Sequence, residues 1–284
     1  MQQIKNKTES HTLYLVATPI GNLMDISERA KKVLSEVDFV ACEDTRNSAK
    51  LLSLYGIKKE LVSYHEHNKH ESGERIVARL LSGQSCAVIT DAGMPAISDP
   101  GEDIVKLCAD AGIRVSVIPG ASAAVSALAV SALPTGKFCF EGFLPHKSSD
   151  RQKRLDALSK EERTVIYYEA PHRLLKTLGD MKDTLGDTRR IALCRELTKI
   201  NEEIIRTTVG QAYDYFSENE PRGEFVLVVD GAQPTDEENP LTDLTPEEHV
   251  KHYEAMGLRR MDAIKAAAKD RGLSKSDFYK IINS

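Results

Sequence analysis

Residues 85–101 read SCAVITDAGMPAISDPG, and no other stretch says as much about the architecture. Ser85–Thr90 is apolar and β-branched, the pattern of a strand covered on both faces. Asp91–Gly101 then brings two acids, two glycines and two prolines together, with small residues between them. A long loop of that composition inside a compact domain is expected to be functional. Glu102–Ala111 has helical periodicity, and Arg114–Ile118 (RVSVI) is a second apolar strand. Strand, loop, helix, strand is the repeating unit of a parallel sheet.

The same unit recurs upstream. Thr12–Ala17 reads as a strand. Asp25–Val37 reads as a helix with Ile26, Ala30, Val33, Leu34 and Val37 on one face, capped by Asp25 with Glu28. Phe39–Cys42 and Leu61–Tyr64 read as strands, Asn47–Leu54 and Glu71–Leu81 as helices, and Ser122–Ala132 as an Ala-rich helix. Leu133-Pro134-Thr135-Gly136 breaks the pattern. Beyond it Phe138–Phe143, Thr164–Tyr168, Ile191–Cys194, Glu203–Thr207 and Phe225–Val229 read as strands. Helices fit near Asp150–Leu158, Pro171–Thr184 and Gln211–Ser217. No helix fits between Ile191–Cys194 and Glu203–Thr207, so part of this second sheet is expected to be antiparallel. Thr245–Glu248 is a capping box with Pro246 at the first helical position, Gly257 ends that helix, and Arg260–Arg271 is a second helix stopping at Gly272. Ser274 and Asp277 cap a third, through Asn283. The expected fold class is α/β. A parallel-sheet lobe (1–134) and a mixed-sheet lobe (135–232) precede a small helix-turn-helix-like unit (241–284), for which a plain helical hairpin is the alternative.

The chain has 284 residues and 41% hydrophobic composition, enough for two cores. No apolar run reaches the ~18 residues of a membrane span. Met1–Thr12 is polar and lacks the apolar core of a signal peptide, which points to the cytoplasm. Cys42, Cys86, Cys108, Cys139 and Cys194 are dispersed, as expected of reduced core thiols. Net charge is −5, but it is uneven. Ala232–Glu254 has seven acids against one Lys, and Arg259 to the end has seven Lys and Arg against three acids. A basic tail beyond an acidic linker, Asp236–Pro240 included, hints at a polyanionic partner.

Ligands of parallel sheets sit beyond the carboxyl ends of the strands. Thr18–Asp25 lacks the G-x-G-x-x-G fingerprint, and no P-loop is present. Glu43-Asp44-Thr45-Arg46 clusters charge at a strand end, where Asp44 or Thr45 could equally cap the next helix. His65, His67 and His70 read as a polar, substrate-facing loop in preference to a metal site. Asp91 can accept from hydroxyls or an ammonium, and Gly93 lets backbone approach a ligand. Pro119–Ala124 leaves helix-start amides open. Such loops suit hydroxyls, an amino-acid head and a flat ring more than a polyphosphate.

The chain resembles the tetrapyrrole methylase fold family. The likeness rests on TPIGNLMDIS (18–27), CEDTR (42–46), SYHEHN (63–68), TDAGMPAISDPG (90–101), PGASA (119–123), FEGFLP (140–145), YYEAPHR (167–173) and GEFVLVV (223–229). It is most similar to the branch that methylates a ribose 2′-hydroxyl of a decoding-region cytidine in 16S rRNA, and less so to the small-molecule tetrapyrrole C-methyltransferases, which are the alternative. The first loop has fewer glycines than theirs, and Thr90-Asp91-Ala92-Gly93 replaces their G-D-P. The resemblance implies S-adenosylmethionine held between two lobes in a homodimer. By position it implies cofactor contacts from Pro19, Ile20, Asp91, Met94, Ser122 and Ala123, joined by Gly93. Tyr168, Leu197 and Phe225 would contribute from the second lobe. A sulfonium methyl needs no metal. Asp44 and Glu43 are the candidate bases with Arg46 orienting the substrate, and Glu169 and Asp99 are rivals. RNA contacts are expected from His146, Lys147, Arg151, Lys153 and Arg154, with Arg173. The tail would add Arg259, Arg260, Lys265, Lys269 and Lys275. A non-catalytic RNA-binding protein would not need the 91–101 loop.

Overall fold

A computed structural model describes residues 7–232, 241, 244–271 and 273–282. Asp236–Pro240, Gly272, Asn283 and the side chain of Lys269 lie outside the described residues. The chain forms two compact units, Met1–Gly231 and Ala232–Ser284.

In the first unit β1 (Thr12–Val16), β2 (Phe39–Cys42), β3 (Glu60–Ser63), β4 (Cys86–Ile89) and β5 (Arg114–Ile118) make one sheet, ordered β3-β2-β4-β1-β5. Every pair is parallel, as helical crossovers require. The crossovers are α1 (Glu28–Glu36), α2 (Thr45–Leu54), α3 (Lys69–Leu81) and α4 (Glu102–Asp110), and α5 (Ala123–Val130) follows β5. Successive side chains face opposite ways. Tyr14, Val40 and Ile89 therefore enter one apolar cluster, while Leu13, Ala41 and Val88 enter the other. The helix expected from Asp25 begins later. Leu23–Asp25 is a 3-10 turn, and Ser27 caps α1 by accepting from the Ala30 N–H at 3.1 Å. Asp25 is thus not the cap: the turn led by Asn22 uses it first.

A second sheet is built from β6 (Phe138–Phe143), β7 (Thr164–Glu169), β8 (Arg190–Arg195), β9 (Glu203–Thr208) and β10 (Phe225–Val229), ordered β6-β7-β10-β8-β9. Only β6–β7 is parallel; β7–β10, β10–β8 and β8–β9 are antiparallel. The short β8–β9 connection leaves no alternative. The helices α6 (Ser148–Lys160), α7 (Pro171–Leu185) and α8 (Val209–Glu218) serve this sheet. Its other face is covered by α5, whose Ala124, Ala127 and Leu128 pack on Ile166, Ala192, Cys194, Val226 and Val228. A helix launched from the first sheet thereby closes the core of the second. Small side chains let it lie close.

The second unit holds α9 (Pro246–Ala255), α10 (Arg260–Asp270) and α11 (Lys275–Ile282) around Val250, Ala263, Ile264, Ala267, Ala268 and Phe278. The capping box forms. Thr245 Oγ1 accepts from Glu248 N–H at 3.3 Å, and the Glu248 carboxylate accepts from Thr245 N–H at 2.9 Å. All five cysteines are free thiols. Among the described residues no helix is long and apolar enough to cross a membrane.

Candidate active site

A cavity of about 550 Å³ lies where the loops after β1, β4 and β5 face the ends of β7, β8 and β10. Its first-lobe wall is held by an unusual pairing. Thr18 and Gly93 exchange backbone hydrogen bonds of 2.9 and 3.1 Å, and the Thr18 hydroxyl donates to the Thr90 carbonyl at 3.1 Å. Gly93 sits at φ +83°, a conformation that side chains resist. From there Met94, Ile97, Ser98 and Asp99 line the cavity, with the backbone at φ +68° at Ala96 and φ +67° at Ser98. Non-glycine residues held left-handed cost of order 1–3 kcal/mol each and persist where the surroundings enforce them.

The opposite wall is supplied by Tyr168, Leu197, Phe225 and Val226. Tyr168 is gripped edge-on by Phe140 and Phe143 at 4.9 and 5.6 Å, and its hydroxyl accepts the Ala124 N–H at the start of α5. At one end the two walls touch. The Asn22 N–H donates to Thr198 Oγ1 at 3.0 Å, and a Cβ on Gly21 would stand 2.6 Å from Lys199 Cγ. Lys199 also reaches Glu196 and Glu224, both at 2.9 Å.

Charge in the cavity leans negative. Asp99, Glu169 and Glu224 line it against Lys199. Lost hydration, with Glu43 and Asp91 nearby, pushes the Asp99 carboxyl up to about 6 even though its side chain meets the open side. Glu43 is raised for the same reasons, desolvation first and then Asp91, and is partly relieved by His65. Asp44 is lowered by its hydrogen bonds with Arg46 and the Asn47 amide.

Of the expected cofactor residues, Ile20, Gly93, Met94, Ser122, Ala123, Tyr168, Leu197 and Phe225 line this one cavity. Pro19 is buried behind the wall. Asp91 turns to a smaller neighbouring hollow of about 240 Å³, where Asn47 Nδ2 donates to it at 3.1 Å. The expected catalytic group Glu43, Asp44 and Arg46 is absent from the cavity lining. Asp44 caps α2, accepting from the Arg46 N–H at 2.8 Å, and pairs with the Arg46 guanidinium at 3.2 Å. His65 and His67 meet edge-on at 6.0 Å, and among the described residues no group of three or more His, Cys, Asp or Glu is placed to hold a metal.

One expected RNA contact needs correcting. Arg151 is 3% exposed and points inward, donating to Asp180 at 2.6 Å and to the carbonyls of Pro145 and His146 at 3.2 and 2.9 Å. It holds the loop that leads into α6. Arg173 is similarly engaged by the Leu144 carbonyl and Glu169. Lys147, Lys153 and Arg154 remain outward. Arg259, Arg260 and Lys265 are exposed on the second unit. Sequence reasoning missed Ile97, Phe143, His172, Lys199 and Glu224, all in the lining. Only the 91–101 loop composition pointed toward Ile97; the others belong to the second lobe.

Residues 12–213 match the family profile Tetrapyrrole (Corrin/Porphyrin) Methylases. The chain is 47% identical over 282 residues to a protein of Halalkalibacterium halodurans named ribosomal RNA small subunit methyltransferase I, covering 99% of this chain and 97% of that one. It is 48% identical to the Bacillus subtilis protein of the same name, covering 96% and 94%. A solved diphthine synthase superposes with a TM-score of 0.62 at 14% identity, covering 77% of this chain and 90% of the other, a likeness of fold alone.

Proposed function

The chain belongs to the tetrapyrrole (corrin/porphyrin) methylase family, and we propose that it uses S-adenosylmethionine to methylate the ribose 2′-hydroxyl of a decoding-region cytidine in 16S rRNA, within the small ribosomal subunit. The observation that carries this reading is near-full-length identity to relatives named for small-subunit rRNA methylation. The cavity supports it. Its apolar wall of Ile20, Met94, Leu197 and Phe225 suits a flat ring and a thioether chain, with Gly93, Ser122, Ala123 and Tyr168 completing the hold. Its negative lean suits a sulfonium. When bound, the cofactor supplies a methyl group on a positively charged sulfur that is already a good leaving group. The protein's residues fix distance and angle, which contributes about 7–11 kcal/mol in well-oriented reactions, and exclude water from the reacting atoms.

Lys147, Lys153 and Arg154 beside the first unit's second sheet, with Arg259, Arg260 and Lys265 on the C-terminal unit, are assigned to phosphate contacts. Residues 1–134 and 135–232 act as the two lobes and 241–284 as the RNA-docking unit. The same reading has the protein working in the cytoplasm as a homodimer. A small-molecule tetrapyrrole methylase would have no use for the basic helical unit. The test is transfer of labelled methyl from S-adenosylmethionine to small subunits, bare 16S rRNA and uroporphyrinogen in parallel. Labelling of rRNA and none of uroporphyrinogen is the expected result; the reverse pattern refutes the proposal.

A further inference from the structure

Four side chains in the cavity lining are able to accept a proton: Asp99, Glu169, Glu224 and His172. Glu169 is already engaged. It accepts from Thr177 Oγ1 at 2.6 Å and from the Ala170 N–H at 2.9 Å, and faces Arg173 at 3.5 Å. Glu224 holds Lys199 at 2.9 Å. Asp99 stands with Met94 in the first-lobe wall assigned above to the cofactor. His172 differs from all three. Its side chain is exposed, and it has no hydrogen-bond, ion-pair or ring partner among the described residues. Its backbone is nonetheless fixed. Ala170 caps α7 and Pro171 opens it, and the Ala170 carbonyl accepts from the Arg173 and Leu174 N–H groups at 3.0 and 3.1 Å. Arg173 ties this turn to the exit of β6, donating to the Leu144 carbonyl at 2.6 Å, with Nη1 3.4 Å from His146 Nε2. An unengaged imidazole on a turn braced from both sides is preorganised to meet a ligand. The turn also adjoins the loop that begins the outward cations Lys147, Lys153 and Arg154, so His172 stands on the side assigned to the nucleic acid.

We propose that His172 is the catalytic base, taking the proton of the ribose 2′-hydroxyl as that oxygen is methylated. This rests on the function proposed above. The ring nitrogen that carries no hydrogen receives the proton from the breaking O–H bond while the oxygen–methyl bond forms. The electron pair of the broken carbon–sulfur bond stays on sulfur, leaving a neutral thioether. The imidazolium then passes its proton to water. Imidazole is the side chain whose chemistry suits proton transfer near neutral pH. The division of labour is spatial. Ile20, Gly93, Met94, Ser122 and Ala123, with Tyr168, Leu197 and Phe225, hold the methyl donor, and His172 meets the incoming ribose at the start of α7.

His172→Ala and His172→Gln test this in the full-length protein through three readouts. These are single-turnover methyl transfer to small subunits, cofactor affinity by calorimetry, and transfer in the presence of added imidazole. His172→Ala should be slower by roughly 10²–10⁴-fold, while cofactor affinity changes by less than about threefold. His172→Gln keeps a hydrogen-bonding side chain that takes up no proton, and should be as slow as the alanine variant. Added imidazole should restore part of the rate to His172→Ala, in proportion to its concentration, and leave wild type unchanged. A residue that merely supports the fold gives no such rescue. The inference fails if His172→Ala stays within tenfold of wild type, if cofactor affinity falls in step with rate, if His172→Gln recovers the rate, or if imidazole leaves the slow variant unchanged. If wild type labels no small subunits, the functional reading fails and this inference falls with it; labelling by wild type and by an equally fast His172→Ala overturns the base alone.

Discussion

Gly101 and Asp44 show how single residues set this site. Gly101 adopts φ +145°, and a Cβ there would stand 2.8 Å from the Ala96 amide nitrogen. Gly101→Ala should cost about 1–3 kcal/mol of stability and weaken cofactor binding by displacing residues 94–100. Denaturant titration and calorimetry measure the two effects, and an unaltered variant would mean the loop tolerates the side chain. Asp44 accepts from helix amides, a task asparagine also performs. Asp44→Asn should keep both the melting midpoint and most of the transfer rate. Loss of rate with an intact fold would return Asp44 to the chemistry. At this scale the sequence was legible in part. Asp91 and Asp99 lie in the same loop, and composition marked that loop. Which acid faces the cavity depends on a left-handed backbone at Ala96 and Ser98, residue types that carry no such signal. The charged cluster Glu43–Arg46 looked reactive in one dimension, whereas in three the helix start consumes Asp44.

Elements were easier to read than their neighbours. The buried strands β1, β2 and β4 are continuous apolar runs, so the parallel sheet followed directly. The antiparallel β8–β9 pair followed from chain length. The role of α5 was hidden. An Ala-rich helix has no amphipathic stripe, so its packing on the second sheet left no pattern. Likewise Lys199 and Glu224, 25 positions apart, form an ion pair that only the β8–β10 pairing brings together. The basic start of α6 separates into two kinds of residue. Replacing Lys147, Lys153 and Arg154 together with alanine should leave the fold intact. It should lower the salt dependence of RNA binding by roughly 0.7–0.9 in log–log slope for each phosphate no longer neutralised. Arg151→Ala should do the opposite. It removes bonds to Asp180 and two carbonyls, costing roughly 1–3 kcal/mol, with little change in the salt slope until the loop yields. A salt slope altered by Arg151→Ala alone, at full stability, would place its guanidinium on the RNA.

At the scale of the whole molecule, an acidic chain is matched to a polyanion by local concentration of charge. The C-terminal unit has its own buried core around Ile264 and Phe278, and Arg259, Arg260 and Lys265 are exposed on it, Arg260 facing Glu254 at 3.5 Å. Deleting residues 241–284 should leave cofactor affinity nearly unchanged and weaken capture of small subunits, with the fold-change in affinity largest at low salt and shrinking as salt rises. Lost cofactor binding in the truncated protein would show that the cavity depends on those helices. The central claim is methyl transfer to a ribose oxygen of small-subunit rRNA, and nucleoside analysis of the product tests it most directly. Small subunits are incubated with the protein and methyl-labelled S-adenosylmethionine, their 16S rRNA is digested to nucleosides, and the label is located by mass spectrometry. Label confined to 2′-O-methylcytidine is the expected result; label on a base carbon or nitrogen, or none on the rRNA, contradicts it.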